Sequence, residues 1–291
     1  MKAIEVVKLC KTFRGKKGGR VEALKNLSLA VEVGEVFGFL GPNGAGKSTT
    51  IKTLMGMLTP TSGAATIMGT DVKSGLARRH VGYLPENPAF YDFLNAEEYL
   101  LFVGNAFRMR QHSFHERSEA VLKQLELWEP RKRQIRSYSK GMVQRLGLAQ
   151  VLLHDPDVYI LDEPMSGLDP IGRALVKDII LDLKKRGKSV FFSTHITSDV
   201  ETVCDRVGVI TQGTLRSVEH VQSIVQEGIM GYTVYLRRTD GITGRNIEVP
   251  KEALQRFMTE IAGTGEEITL IEPRRKSLEE FFLAVVRGEA C

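Results

Sequence analysis

Val36-Phe37-Gly38-Phe39-Leu40 runs directly into Gly41-Pro42-Asn43-Gly44-Ala45-Gly46-Lys47-Ser48-Thr49, and this stretch decides the fold. The first five residues carry no polar side chain, so they read as a short strand buried on both faces, as in a parallel sheet. The loop that follows matches G-x-x-x-x-G-K-[ST] in full, and a helical segment is predicted from Ser48 to Leu58, stopped by Pro60 and Gly63. Strand, glycine loop and helix together make a phosphate cradle. A loop poor in side chains lets successive N–H groups wrap anionic oxygens, and the helix N-terminus adds its positive end. Asn43, Gly44, Ala45, Gly46, Lys47, Ser48 and Thr49 are therefore candidate contacts to the phosphates of a nucleotide. Lys47 would reach the β- and γ-phosphates, and the Ser48 hydroxyl would bind Mg²⁺.

Working outward, the pattern alternates strands with helices. Ala3–Leu9, Leu27–Val33, Ala64–Met68, Val81–Leu84, Val158–Leu161 and Ser189–Ser193 read as strands, and Arg14–Arg20 reads as a glycine-rich hairpin tip. Ile171, Leu175, Ile179 and Leu183 recur at four-residue steps and predict one apolar face of a helix. From Asn95 to about Leu127 the periodicity is helical with no strand between, so a helical subdomain, about residues 87–153, is inserted into the core. The composition shifts near Val218. Beyond it, Tyr232–Arg237, Ile247–Val249 and Glu267–Ile271 read as strands. Lys251–Ile261 reads as a helix, and a last helix is announced by the capping box Ser277…Glu280. The expected architecture is α/β: a P-loop NTPase core (1–217) with a mixed, largely parallel sheet, and a small α+β extension (218–291).

Val158-Tyr159-Ile160-Leu161 ends in Asp162-Glu163. Beside a phosphate loop, Asp162 would hold Mg²⁺ and Glu163 would act as general base on an attacking water. The bland alternative is a strand end followed by a solvated acidic turn. The two halves together favour Mg²⁺-dependent hydrolysis, which needs both. His195 lies just past the strand ending at Ser193, on the edge where open α/β sheets bind ligands, and could sense the γ-phosphate as a donor.

Composition bounds the rest. The chain has 291 residues, 42% hydrophobic and 26% charged, the balance of a folded domain rather than a disordered one. No apolar run approaches the ~18 residues a membrane span needs. The first residues alternate apolar with charged side chains, which disfavours a secretory signal. Three cysteines without metal spacing point to free thiols in a reducing compartment. A net charge of +5 admits nucleotide or lipid partners without demanding nucleic acid.

Several motifs in order identify a resemblance over residues 2 to 217. Ser139-Lys140-Gly141-Met142, followed by Val143-Gln144-Arg145, resembles the signature of ATP-binding-cassette (ABC) transporter nucleotide-binding subunits. Asp162-Glu163-Pro164 resembles their acidic strand end, Ser166-Gly167-Leu168-Asp169 their D-loop, and Ser193-Thr194-His195 their switch histidine. The resemblance implies that Phe13 stacks on adenine, that Glu163, His195 and Lys47 are catalytic, and that Ser139 and Gly141 meet the γ-phosphate of a second subunit in a head-to-tail dimer. It also implies a paired ATPase subunit, identical or not, a separate transmembrane permease, and a peripheral location on the cytoplasmic face of the inner membrane. Glu86 stands where the family commonly has Gln, facing Mg²⁺, and Lys140 replaces a glycine. Glu86, the signature and the C-terminal extension resemble the ABC-2-type exporter branch. Tyr99–Phe107 and Asn87–Leu94 are candidate permease contacts, with Tyr91 and Phe93 expected to be exposed.

Rival classes fare worse. A DNA-repair or chromosome-organising ABC ATPase would carry long heptad coiled coils between the halves of its site. Here only ~114 residues separate the loop from Asp162, with no sustained heptad. A ribosome-acting ABC protein would need two cassettes, and there is one. The basic runs Arg131–Arg136 and Pro273–Lys276 could suggest nucleic acid, and a solvated face explains each as well.

Overall fold

The computed structural model describes residues 1–15, 19–226, 229–238, 244–275 and 277–288. A long antiparallel pair opens the chain, β1 (Lys2–Arg14) and β2 (Arg20–Glu32), before the wholly buried β3 (Val36–Leu40). Helix α1 (Lys47–Leu54) leads to β4 (Ser62–Ile67), the short β5 (Thr70–Asp71) and β6 (Val81–Leu84). Helices α2 (Ala96–Ala106), α3 (Gln111–Gln124) and α4 (Lys140–Leu153) follow with no strand among them. Then come β7 (Val158–Asp162), α5 (Pro170–Lys185), β8 (Ser189–Thr194), α6 (Thr197–Val203), β9 (Arg206–Thr211) and β10 (Thr214–His220).

Two sheets result. One has the order β2-β1-β4-β5 and is antiparallel; the other has the order β10-β9-β3-β8-β7-β6, in which β9, β3, β8, β7 and β6 run parallel. This is the mixed, largely parallel α/β arrangement expected. Side chains from both sheets and α1, among them Ile4, Val31, Phe37, Ile51, Ile160 and Phe191, share one buried cluster. Phe37 stacks on Phe191 with ring centroids 5.8 Å apart, and Phe39 meets the same ring at 5.3 Å. Such pairs stabilise by roughly 0.5–1.5 kcal/mol beyond the area they bury, and they fix the strand that feeds the glycine loop.

Two local expectations need correction. Helix α1 ends at Leu54, not Leu58. Gly56 takes a left-handed φ of +67°, its N–H bonds to Thr53 O at 3.0 Å, and the Met57 N–H bonds to Lys52 O at 2.9 Å. That double closure stops the helix before Pro60 is reached. The buried face of α5 is Val176, Ile179, Ile180 and Leu183, while Ile171 is 71% exposed. At 3.6 residues per turn, a four-residue step overshoots by about 40°, so a line drawn at that spacing walks off the face within three steps. The stretch after Asn95 is helical without a strand, as expected, in two helices parted near Arg108, whose φ is +54°. The β9–β10 hairpin and α6 were not read from the sequence.

The chain divides into two units, Met1–Val218 and Glu219–Cys291. The second holds α7 (Val221–Gln226), β11 (Ile229–Arg238), β12 (Gly244–Pro250), α8 (Leu254–Ile261), β13 (Glu266–Arg275) and α9 (Leu278–Arg287). Its antiparallel sheet has the order β12-β11-β13. Its own core contains Val234, Leu236, Val249 and Ile261, with Phe257 and Ile268 packed against them. The capping box at Ser277 and Glu280 is present. Residues 16–18 of the expected hairpin tip, Lys276 of the second basic run and Cys291 lie outside the described residues.

Candidate nucleotide site

Four neighbouring parallel strands end on one edge of the large sheet, and each delivers part of the site. The phosphate loop follows β3, His195 follows β8, Asp162 and Glu163 end β7, and Glu86 follows β6. Register aligns them: Leu40 pairs with Thr194, and Asp162 pairs with Ser193. The loop is pinned by Gly41 N–H to Thr194 O at 3.3 Å and by Ala45 N–H to Pro42 O at 3.1 Å. Gly46, the N-cap of α1, has φ +114°, and a Cβ there would lie 2.9 Å from Ala23 O. Only glycine meets both demands.

A cleft of about 300 Å³ opens over this loop, lined by Asn43, Gly44, Gly46, Lys47, Ser48, Thr49, Glu86 and Glu163, with Ala23 and Pro42. Lys47 is buried, and its Nζ donates to Gly41 O at 2.6 Å and lies 3.3 Å from Glu163 Oε1. Asp162 is 2% exposed and Glu163 is 7% exposed. Ser193 Oγ donates to Asp162 Oδ1 at 2.5 Å and accepts from Glu163 N–H at 3.1 Å. Glu163 itself sits at φ +49°, a strained conformation for a residue with a Cβ. His195 Nδ1 lies 3.0 and 3.1 Å from the two Glu163 carboxylate oxygens. Burial, reinforced by the nearby Asp162 charge, pushes the Tyr83 hydroxyl up to about 12.

Ser48 Oγ lies 3.4 Å from Asp162 Oδ1, and Glu86 lines the same cleft. Two oxygen donors beside a phosphate cradle suit Mg²⁺, a hard cation that is bound by one or two protein oxygens plus nucleotide phosphates. The structure thus brings together Asn43, Gly44, Gly46, Lys47, Ser48, Thr49, Glu86, Asp162, Glu163 and His195, with Ala45 buried inside the loop turn. Phe13, Ser139 and Gly141 do not line the cleft. Phe13 is partly exposed near the end of the β1–β2 pair, with Lys11 Nζ 5.1 Å from its ring centroid. Ser139 caps α4, its Oγ accepting from Met142 N–H at 3.2 Å. Lys140 is exposed and lies across Gly167 of the Ser166–Asp169 loop.

The roles of Ser193 and Gln144 were not read from the sequence. Gln144 is buried, and its Nε2 donates to Pro164 O at 3.1 Å, tying the signature helix to the residue after Glu163. The available signals were a serine ending an otherwise apolar strand and a polar residue inside a helix.

Comparison with known proteins bears on this arrangement. Residues 24–166 match the family model described as ABC transporter. The Bacillus subtilis ABC transporter ATP-binding protein YxlF is 37% identical, with 98% of this chain and 100% of that protein covered. The linearmycin resistance ATP-binding protein LnrL of Bacillus subtilis is 35% identical over 69% of this chain and 65% of its own length. A solved structure of an ATP-binding subunit of an ABC transporter superposes with TM-score 0.70 and 30% identity, over 76% of this chain and 91% of that one. Among the described residues no helix is long and apolar enough to cross a membrane. With its phosphate loop, acidic strand end and signature helix set as described, the chain belongs to the ATP-binding proteins of ABC transporters, a family of ATPases.

Proposed function

We propose that this chain binds and hydrolyses ATP to power an ABC transporter of the exporter class, closing head to tail with a second ATPase subunit around two nucleotides. The observation that carries the reading is the buried pair Lys47–Glu163 beside the loop, with the more exposed His195 reaching the same Glu163 carboxylate and Asp162 held on Ser193. Lys47 offers three N–H donors to the β- and γ-phosphate oxygens. The loop amides hold the remaining oxygens. Ser48 and Asp162, with Glu86 facing them, would hold Mg²⁺, which when bound neutralises charge on the phosphates. Glu163 takes a proton from the attacking water as the bond between the γ-phosphorus and its bridging oxygen breaks, and His195 holds the Glu163 carboxylate in place. Ser139 and Gly141, absent from this chain's own cleft, serve the partner's nucleotide from the N-terminus of α4. Phe13 stacks on adenine.

The permease is a separate chain, and the ATPase sits on the cytoplasmic face of the membrane beneath it. Exposed aromatics support that docking. Tyr91 lies 5.9 Å from Phe93 and 6.4 Å from Phe102, ring to ring, and all three are open to solvent. The export direction rests on the branch resemblance of Glu86 and the signature, and on a relative named for linearmycin resistance. Nucleic acid is not an expected partner. The test is Glu163→Gln: ATP affinity stays, phosphate release falls by roughly a hundredfold or more, and a closed dimer accumulates on a sizing column. Unchanged phosphate release would remove Glu163 from the mechanism.

A further inference from the structure

We infer that Arg173 and Asp199 form a positioning pair that ties the loop ending at Asp169 to the switch residue His195, and so governs turnover rather than nucleotide affinity; the inference rests on the ATPase reading above. Asp199 is 1% exposed and lies in the first turn of α6, which begins two residues after His195. One guanidinium nitrogen of Arg173 reaches both its carboxylate oxygens, at 3.0 and 2.8 Å. Arg173 belongs to the first turn of α5. Its N–H bonds to Asp169 O at 2.9 Å, and the Asp169 carboxylate caps the same turn through Gly172 N–H at 2.9 Å. Contacts therefore run from Asp169 through Arg173 and Asp199 to α6 and His195, and on to Glu163.

The chemistry explains why the tie is polar. Burying a carboxylate costs more than burying an apolar group of equal size, and a merely adhesive contact between two helices needs no charge. A bonded carboxylate instead fixes direction. Among the described residues, Glu163 is the only hydrogen-bond partner of the His195 ring, and α6 has no side-chain cap at Ile196. Ile196 N–H bonds to Thr194 Oγ1 at 3.1 Å, so His195 sits in a turn held by β8 on one side and by α6 on the other, and Asp199 anchors the α6 side. Lys177 also reaches Asp199, at 3.2 Å, but from one turn further along α5, away from Asp169. Two cations serve one carboxylate, and only one of them belongs to the turn that Asp169 caps.

That asymmetry supplies the test. In the full-length chain, Arg173→Gln leaves Lys177 to neutralise Asp199, so the fold survives. The expected result is a kcat for ATP hydrolysis lowered about tenfold or more, with KM for ATP and the affinity for a fluorescent ATP analogue within about twofold of wild type. Lys177→Gln removes a cation from the same carboxylate and should stay within about twofold of wild-type kcat. Arg173→Lys should recover part of the loss. Equal losses in the two Gln variants, or losses that follow melting temperature alone, overturn the positioning role. Absence of ATP turnover in the wild-type chain would instead sink the ATPase reading beneath it.

Discussion

Ser193 concentrates the site's dependence on single atoms. Its hydroxyl donates to a buried Asp162 carboxylate and accepts from the Glu163 amide. Ser193→Ala takes the close donor from the buried Asp162 carboxylate, while the Glu163 amide keeps Ser193 O at 3.2 Å, so a stability loss of about 1–3 kcal/mol is expected by urea unfolding. A higher Mg²⁺ concentration for half-maximal ATPase activity should accompany it, because Asp162 is then free to turn. Lys47→Ala is more severe. Glu163 would remain buried without its cation, a situation that costs about 3–5 kcal/mol when one partner of a buried pair is removed. Binding of a fluorescent ATP analogue should fall below detection, and retained affinity would take Lys47 out of the phosphate contacts. The phosphate loop was legible from the chain alone, because its residues are contiguous and their spacing is dictated by the ligand. Ser193 was not, because its partner is 31 positions away and only the pairing of two parallel strands brings them side by side.

Among the elements, α4 and α5 meet at a polar knot around Asp155. Arg117 from α3 donates to Leu153 O at 2.7 Å and Leu152 O at 3.1 Å, closing the end of α4. Arg117, Arg186 and Lys188 surround Asp155, and Arg186 also hydrogen-bonds to it. Burial pushes the Asp155 carboxyl up, but the three cations together outweigh burial and hold it below its ordinary value. A depressed carboxylate adds stability above its unfolded-state value and loses that contribution as pH falls through the lower folded value. Asp155→Asn should therefore lower the unfolding free energy at pH 7, read from urea titration, by no more than ~1 kcal/mol in a setting only partly buried. The gap to wild type should narrow steadily below about pH 4; a constant gap across that range would assign the effect to packing. Periodicity revealed that α5 exists but misjudged its face, since four-residue steps outrun the helix. The end of α1 was hidden for a different reason: one glycine four residues before Pro60 suffices when its left-handed turn closes two backbone bonds.

At the scale of the whole molecule, each unit carries its own apolar core. Leu236 is buried in the second of them. Leu236→Ala should cost about 2–5 kcal/mol there. Hydrogen exchange should show the loss within residues 219–291, while affinity for the ATP analogue stays unchanged. Altered affinity would mean that the extension shapes the nucleotide site. Fold class was readable because apolar strands alternate with helices, and the phosphate loop, Glu163, His195 and Glu86 each follow a strand. The extension's purpose was not, since a small sheet with a capped helix carries no chemistry of its own.

Ser139 and Gly141 stand clear of the cleft formed by their own Lys47. If they act only across a pair, a solitary copy is inert however much fuel surrounds it. Output from dilute protein would then climb with the square of its amount and straighten to simple proportion once most copies have found a mate. A cell could silence such an engine by thinning it out, without touching a single residue.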